Sequence, residues 1–230
     1  PAVPAYGGTG GLWGMLKDNL KFCNYHRHSC YTNVRISDSA ATNRDYAKRA
    51  AELGHGILSS CEHGWQGRYQ ECMELAHEYG LTPLVGAEAY WVKDRAGKDR
   101  TNAHIFIGAM NEKGRRALND VLSEANLSGF YGQARLDLPL LLSLPGDDVI
   151  VTTACVAYWR YDDIEDITAR LQEHFGENFY LEVQYHHTPS QTELNGRILR
   201  LRDRLGAKLM MGCDSHFIDP PQASVRTDFS

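Results

Sequence analysis

Asp148-Val149-Ile150-Val151-Thr152-Thr153-Ala154 and Lys208-Leu209-Met210-Met211-Gly212 are short, nearly continuous apolar runs. A strand with one face in water alternates apolar and polar residues. A run without that alternation suits a strand covered on both faces, as in a parallel sheet beneath helices. Working outward, five more segments read as strands, 21–27, 56–61, 83–89, 103–109 and 178–185, giving seven in all. Helical 3.6-residue patterns fall between most of them. The first runs from Thr42 to Leu53, with Thr42 or Asn43 as its cap and Gly54 just past its end. Four others cover 67–79, 111–126, 161–175 and 189–205, with Gly80, Gly176 and Gly206 marking ends. This alternation predicts an α/β chain, a parallel sheet with helices outside. Seven strands without edge-strand punctuation favour a closed barrel over an open sheet.

Composition bounds the rest. A chain of 230 residues buries a full core. Hydrophobic content of 43% and charged content of 23% are ordinary for a globular protein. No apolar run reaches 18 residues, which predicts no membrane span, and the first residues lack a signal pattern. Six cysteines without a CxxC pair favour a reduced, cytoplasmic chain over a disulfide scaffold. The net charge of −5 argues against a surface that coats nucleic acid. Bound dications would offset it, so a nuclease is not excluded. Residues 1–20 form a Gly-rich N-terminal segment expected to be flexible, 21–223 a single domain, and 224–230 a tail. Pro1 in place of Met suggests a processed chain or one cut from a longer protein.

The chemistry lies at the strand ends. In parallel α/β folds, active sites form where the strands finish. His26 and His28 end the first strand, one residue apart, so both point to one face of an extended segment. His63 follows the second strand, Glu88 ends the third, Cys155 the fifth, and Asp214 and His216 the seventh. His104 departs from the pattern, because it stands at the start of the fourth strand. Any one of these residues is more often a cap, a salt-bridge partner or core filler. Their recurrence at one end of successive strands points to a metal pocket closed by the whole fold. Histidines with carboxylates and one thiolate suit zinc or a similar first-row ion better than magnesium or calcium. More than four ligands imply more than one ion, the usual apparatus for hydrolysing phosphate esters.

Several stretches together resemble the PHP (polymerase and histidinol phosphatase) domain, in the form found in bacterial DNA polymerase III alpha subunits. They are FCNYHRHSCY from residue 22, RDYAKRAAELG from 44, SSCEHG from 59, PLVGAEAYWV from 83, NEKGRRALNDVLSEANLSGFYGQARLDLPLL from 111, FYLEVQYHHTPSQ from 179 and CDSHFIDP from 213. The resemblance implies a distorted (β/α)7 barrel with the metal site at the C-terminal ends of the strands. It implies three divalent metal ions (Zn, Mn or Fe). His26, His28, Glu88 and Asp214 would hold one. Glu88, His104 and Cys155 would hold the second, and Asp38, His63 and His216 the third. Asp38 enters through a three-residue insertion within Tyr31–Ser37; without it the matching position is Arg35. Glu62 replaces the aspartate usual before the third histidine, a position that is not normally a ligand. The implied activity is a metal-dependent phosphoesterase, a 3′–5′ exonuclease on DNA ends associated with a polymerase III type replicase. His186 would contact phosphate or protonate the leaving group, with Arg135 and Arg35 as further phosphate contacts. The alternatives are a small-molecule phosphomonoesterase of the histidinol-phosphatase type and a non-catalytic scaffold domain of a polymerase. The resemblance stops near Ala223, without a polymerase palm, fingers or thumb.

Overall fold

The computed structural model describes residues 22–33, 38–101, 103–186 and 188–223. The Gly-rich segment 1–20, Arg35 and the tail 224–230 lie outside them. Seven strands form one sheet: β1 (Ile57–His63), β2 (Thr82–Trp91), β3 (Ala103–Ala109), β4 (Arg135–Leu136), β5 (Val149–Thr152), β6 (Phe179–Gln184) and β7 (Lys208–Gly212). The order is β1-β2-β3-β5-β6-β7, with β4 paired to β2. Six of these strands match the apolar runs of the sequence. The described part of the remaining candidate, 22–27, is tied instead by one parallel bridge, Arg27 to Ser215 just beyond β7. On its other side it meets β1 through side chains: Ser59 Oγ donates to the Tyr25 carbonyl, and the Arg27 guanidinium to the Ser59 carbonyl. This segment occupies the gap between β7 and β1, so the sheet curls almost into a barrel.

The sheet is mixed rather than all parallel. β3 runs antiparallel to both β2 and β5. Residues 92–101, between β2 and β3, contain no helix, and a crossover to a parallel neighbour ordinarily needs a dozen or more residues. The reversal brings the start of β3 to the end of β2: Tyr90 stands opposite His104. The apparent exception in the strand-end pattern is thereby resolved.

The helices are α1 (Asn43–Glu52), α2 (Tyr69–Glu78), α3 (Glu112–Ser128), α4 (Leu138–Leu141), α5 (Ile164–Phe175) and α6 (Pro189–Leu205). A capping box opens α1, where the Thr42 side chain takes the Asp45 N–H and the Asp45 carboxylate takes the Thr42 N–H. The main core lies between the sheet and α3–α6, around Trp91, Ile105, Ile107, Leu118, Leu171 and Phe179. A separate small cluster fills the concave inner face: Tyr25, Cys61, Leu84, Phe106 and Ala154. Gly86 makes room for the Phe106 ring, since a Cβ there would stand 2.7 Å from it. This inner cluster is the floor on which the polar site rests.

Candidate metal centre

Strand alternation delivers the site. Residues 84, 86, 88 and 90 of β2 share one face, as do 61 and 63 of β1 and 104 and 106 of β3. The apolar members build the floor, and His63, Glu88 and His104 stand one layer above it. Register fixes their rank: His63 is the direct partner of Glu88 in the β1–β2 ladder. The alternate residues face away. Arg27, between the two histidines, buries its guanidinium against Asn43 Oδ1 (2.7 Å) and the Tyr46 ring (4.7 Å). Glu62 turns back to accept from the Ser29 N–H and hydroxyl. Both rivet the segment that carries His26 and His28.

Glu88 is the centre. Its Oε1 lies 3.1 Å from His26 Nε2 and 3.4 Å from His104 Nδ1. Its Oε2 lies 2.7 Å from His63 Nδ1 and 3.4 Å from His28 Nε2. Asp214 Oδ1 approaches His28 Nε2 at 3.1 Å and His26 Nε2 at 3.5 Å. Asp38 Oδ2 lies 3.0 Å from His216 Nε2 and 3.3 Å from His63 Nε2. Asn33 Oδ1 positions Asp38 by accepting its backbone N–H. Cys155 lines the same cavity as His104 and opens the short helical turn Val156–Arg160. Asp38, His63, His104, Cys155, Asp214 and His216 line one cavity, and His26, His28 and Glu88 are buried against them.

The backbone is strained where two strands deliver these groups. Asp214 (φ 47°) and Ala154 (φ 38°) both adopt the left-handed region that non-glycine residues seldom visit. No disulfide joins the cysteines.

Charge and burial are in tension here. Burial would raise the Glu88 carboxyl, but His104, His63 and His26 hold it well below the usual carboxylate range. Burial would raise Asp214 too, and His26 and His28 hold it down. Burial would depress His63, yet Glu88 and Asp38 push it up to about 9. His28 goes the other way, to about 3, because burial and the neighbouring His63 disfavour its cation.

Seven buried polar atoms of these residues make no aligned hydrogen bond within the protein: both ring nitrogens of His28, His63 Nδ1, Glu88 Oε2, His104 Nε2, Asp214 Oδ1 and His216 Nε2. Buried polar atoms are nearly always satisfied. Lone pairs converging without donors fit divalent cations, and imidazole, carboxylate and thiolate are donors that first-row ions accept. Three sets have ligand atoms within 4.8 Å of one another: His26, His28 and Cys61; His28, His63 and His216; and His63, Glu88 and His104.

Sequence reasoning missed Cys61 and Glu182. Cys61 sits two residues before His63 on the same strand face, which was a readable signal. Glu182 is 1% exposed on β6 and accepts from Thr152 Oγ1 (3.0 Å), Gln184 Nε2 (2.8 Å) and the Tyr25 hydroxyl. A carboxylate within the apolar run of β6 was the available sign. Arg135 needs correction. It is 3% exposed, and its guanidinium donates to the carbonyls of Gly129, Asp99, Arg95 and Gly97. It is saturated by backbone and does not line the cavity, so it is no phosphate contact. His186 is exposed on the loop after β6 and does line the cavity.

Residues 24–186 match the family model for the PHP domain, well over half of the chain. The chain belongs to the PHP domain family. Asp214 and His216 lie beyond the matched segment of this PHP domain. The DNA polymerase III alpha subunit of Aquifex aeolicus is 28% identical over 233 residues, covering 93% of this chain and 19% of that protein. That of Borreliella burgdorferi is 28% identical over 222 residues, covering 90% of this chain and again 19% of the relative. The PHP chain thus spans about a fifth of the length of these curated relatives. Two solved structures share the fold. One, from Bifidobacterium adolescentis and assigned as a metal-dependent phosphoesterase, has a TM-score of 0.53 at 18% identity, covering 83% of this chain and 86% of its own. An amidohydrolase from Chromobacterium violaceum with bound sulfate has a TM-score of 0.55 at 17% identity, covering 87% and 89%. No helix among the described residues is long and apolar enough to cross a membrane.

Proposed function

We propose that this PHP domain holds three divalent ions (Zn, Mn or Fe) on the nine residues His26, His28, Asp38, His63, Glu88, His104, Cys155, Asp214 and His216. We further propose that it hydrolyses phosphodiesters at the 3′ ends of DNA. One observation carries the reading: seven buried lone-pair or ring-nitrogen atoms of the cluster lack aligned protein partners around a single central carboxylate. Divalent ions bound there would supply positive charge for a phosphoryl group and lower the pKa of an attacking water.

The residues themselves do the rest. Glu88, touching four histidines, holds the ligand groups to one spacing. Glu182 fixes His26 from behind. His186, exposed at the cavity wall, is placed to give a proton to the leaving oxygen. The polymerase III alpha relatives support DNA as substrate and a replicative polymerase as partner.

The test is elemental analysis of the purified chain with hydrolysis of 3′-labelled oligonucleotides. The expected result is bound transition metal and stepwise shortening from the 3′ end, abolished by chelators and by Asp214→Asn. A metal-loaded protein inert towards oligonucleotides would overturn the reading. If that protein cleaves phosphomonoesters, the small-molecule phosphatase stands; if it cleaves neither, the scaffold does.

A further inference from the structure

The cavity above the candidate metal centre encloses about 910 Å³, and its outer wall has a different character from its floor. Trp65, Tyr90, Phe130, Val156 and Arg160 line it together with His63, His104 and Asp214. Trp65 is 40% exposed, Phe130 57% and Val156 40%. Three of the ten large exposed hydrophobic side chains among the described residues therefore share this one opening. Exposed apolar groups gathered at a cleft mark a binding surface more often than chance scatter does.

Both aromatic rings are carried on fixed backbone. Trp65 follows β1, with an antiparallel bridge back to Glu62. Its indole lies over Gly67, where a Cβ would come within 2.9 Å of the ring. Phe130 follows α3 in a tight turn closed by a bridge to Ala134 and by the Tyr131 N–H to the Gln133 carbonyl (3.0 Å). The Arg135 guanidinium, donating to Gly129 and to the 95–99 loop, braces that turn.

We propose that Trp65 and Phe130 are a stacking platform for nucleobases, so that this cavity takes unpaired polynucleotide ends. The inference rests on the phosphodiesterase reading above and names its substrate form. A base exposes a flat π-face only once it has left the duplex stack, and aromatic rings bind that face without regard to sequence. Among the described residues, Arg160 is the one lysine or arginine lining the cavity. Outside the metal centre, the described lining therefore offers more aromatic surface than positive charge to a polynucleotide. Gln133 adds an amide group at the same opening that can pair with a base edge without favouring one base.

The test measures binding of fluorescently labelled oligothymidylate by anisotropy to the full chain. A second oligomer has the same length but abasic sugars at its last two 3′ positions. The expected result is that the wild type binds the abasic oligomer on the order of ten-fold more weakly. Trp65→Ala and Phe130→Ala should bind the intact oligomer that much more weakly, and should discriminate less between the two. Trp65→Phe keeps a ring and should keep the discrimination, which separates lost stacking from misfolding. Equal binding of both oligomers by the wild type would overturn the proposal. So would unchanged discrimination in both alanine variants. Discrimination in a protein that hydrolyses nothing would leave the platform standing and sink the hydrolase reading.

Discussion

Glu182 Oε1 stands 2.6 Å from His26 Nδ1, with both side chains fully buried. Glu182 thereby takes the Nδ1 proton and leaves Nε2 facing Glu88 and Asp214. A carboxylate behind a metal-binding imidazole fixes its tautomer and raises its basicity, and removal of such a partner costs about 10- to 100-fold in metal affinity. Glu182→Gln should weaken metal binding by that range with little change in fold. Glu182→Ala should also destabilise the protein, since the Tyr25 and Thr152 hydroxyls lose their acceptor at roughly 1–3 kcal/mol each. Calorimetric metal titration and denaturant unfolding check the two effects separately.

Gly212 tests the same contact without touching a polar group. A Cβ at this position would fall 2.0 Å from Glu182 Oε1. The neighbouring atom belongs to a carboxylate held by four groups, Tyr25, His26, Thr152 and Gln184, so it cannot yield freely. Gly212→Ala should push Glu182 off His26 and reproduce the weaker metal affinity of Glu182→Gln. Metal titration giving wild-type affinity for Gly212→Ala would mean that Glu182 can shift without loss.

These residues show what was legible. Six strands announced themselves as apolar runs, and both faces of β2, β3, β5 and β6 are largely covered; β7 is an exception, since Lys208 and Met211 are exposed. The described part of the seventh candidate, 22–27, makes only one ladder bridge, since its residues are spent on side-chain contacts: Tyr25 to Glu182, His26 to Glu88, and Arg27 to Asn43. The direction of β3 was hidden, because an apolar run has no sense of travel; the helix-free stretch 92–101 carried that information instead. The strand-end residues were visible as a recurring pattern. The roles of Glu182 and Arg135 were not, because a carboxylate and a guanidinium look alike in sequence whether they serve a site, a histidine or four backbone carbonyls.

Cys61 and Asp214 compete for one place. The Cys61 thiol lies within 4.8 Å of ring nitrogens of His26 and His28, in the buried apolar inner cluster. Burial pushes its thiol well up, which disfavours the thiolate that a metal would need. Asp214 is already held as a carboxylate. Cys61→Ala should therefore retain the full metal complement, and Asp214→Asn should lose at least one ion. Elemental analysis of the two variants decides which side chain completes the set.

Arg135 is predicted to matter for stability, not for metal content. Its removal strands one backbone carbonyl at the turn after α3 and three in the 95–99 loop. Arg135→Ala should cost roughly 2–4 kcal/mol by denaturant unfolding. Metal stoichiometry should be unchanged, because neither the guanidinium nor its acceptors reach the histidine cluster. A variant as stable as wild type would mean that water replaces the guanidinium at little cost.

The metal-free protein should have a narrow stability optimum close to pH 6.5, the ordinary histidine value. His63 is pushed up to about 9, burial being outweighed by Glu88 and Asp38, which face its two ring nitrogens. A raised folded value means that the contribution is complete below 6.5 and is lost as pH rises through 9, on the order of 3 kcal/mol. His26 and His104, also raised against burial by the carboxylates and Cys155 around them, add losses in the same direction. On the acid side, His28 is depressed to about 3 by burial and by His63. Its neutral folded form loses ground as pH falls from 6.5 towards 3, because the unfolded chain takes up a proton that the folded chain refuses. Glu88 and Asp214, both held low, lose stability in the same acid direction. Metal binding requires the histidines unprotonated, so loading should release protons below pH 9 and remove the alkaline loss. Denaturant unfolding of chelated and metal-loaded protein between pH 4 and 9.5 reads both limbs. An alkaline limb that survives metal loading would show that His63 stays protonated beside the ions and is not a ligand.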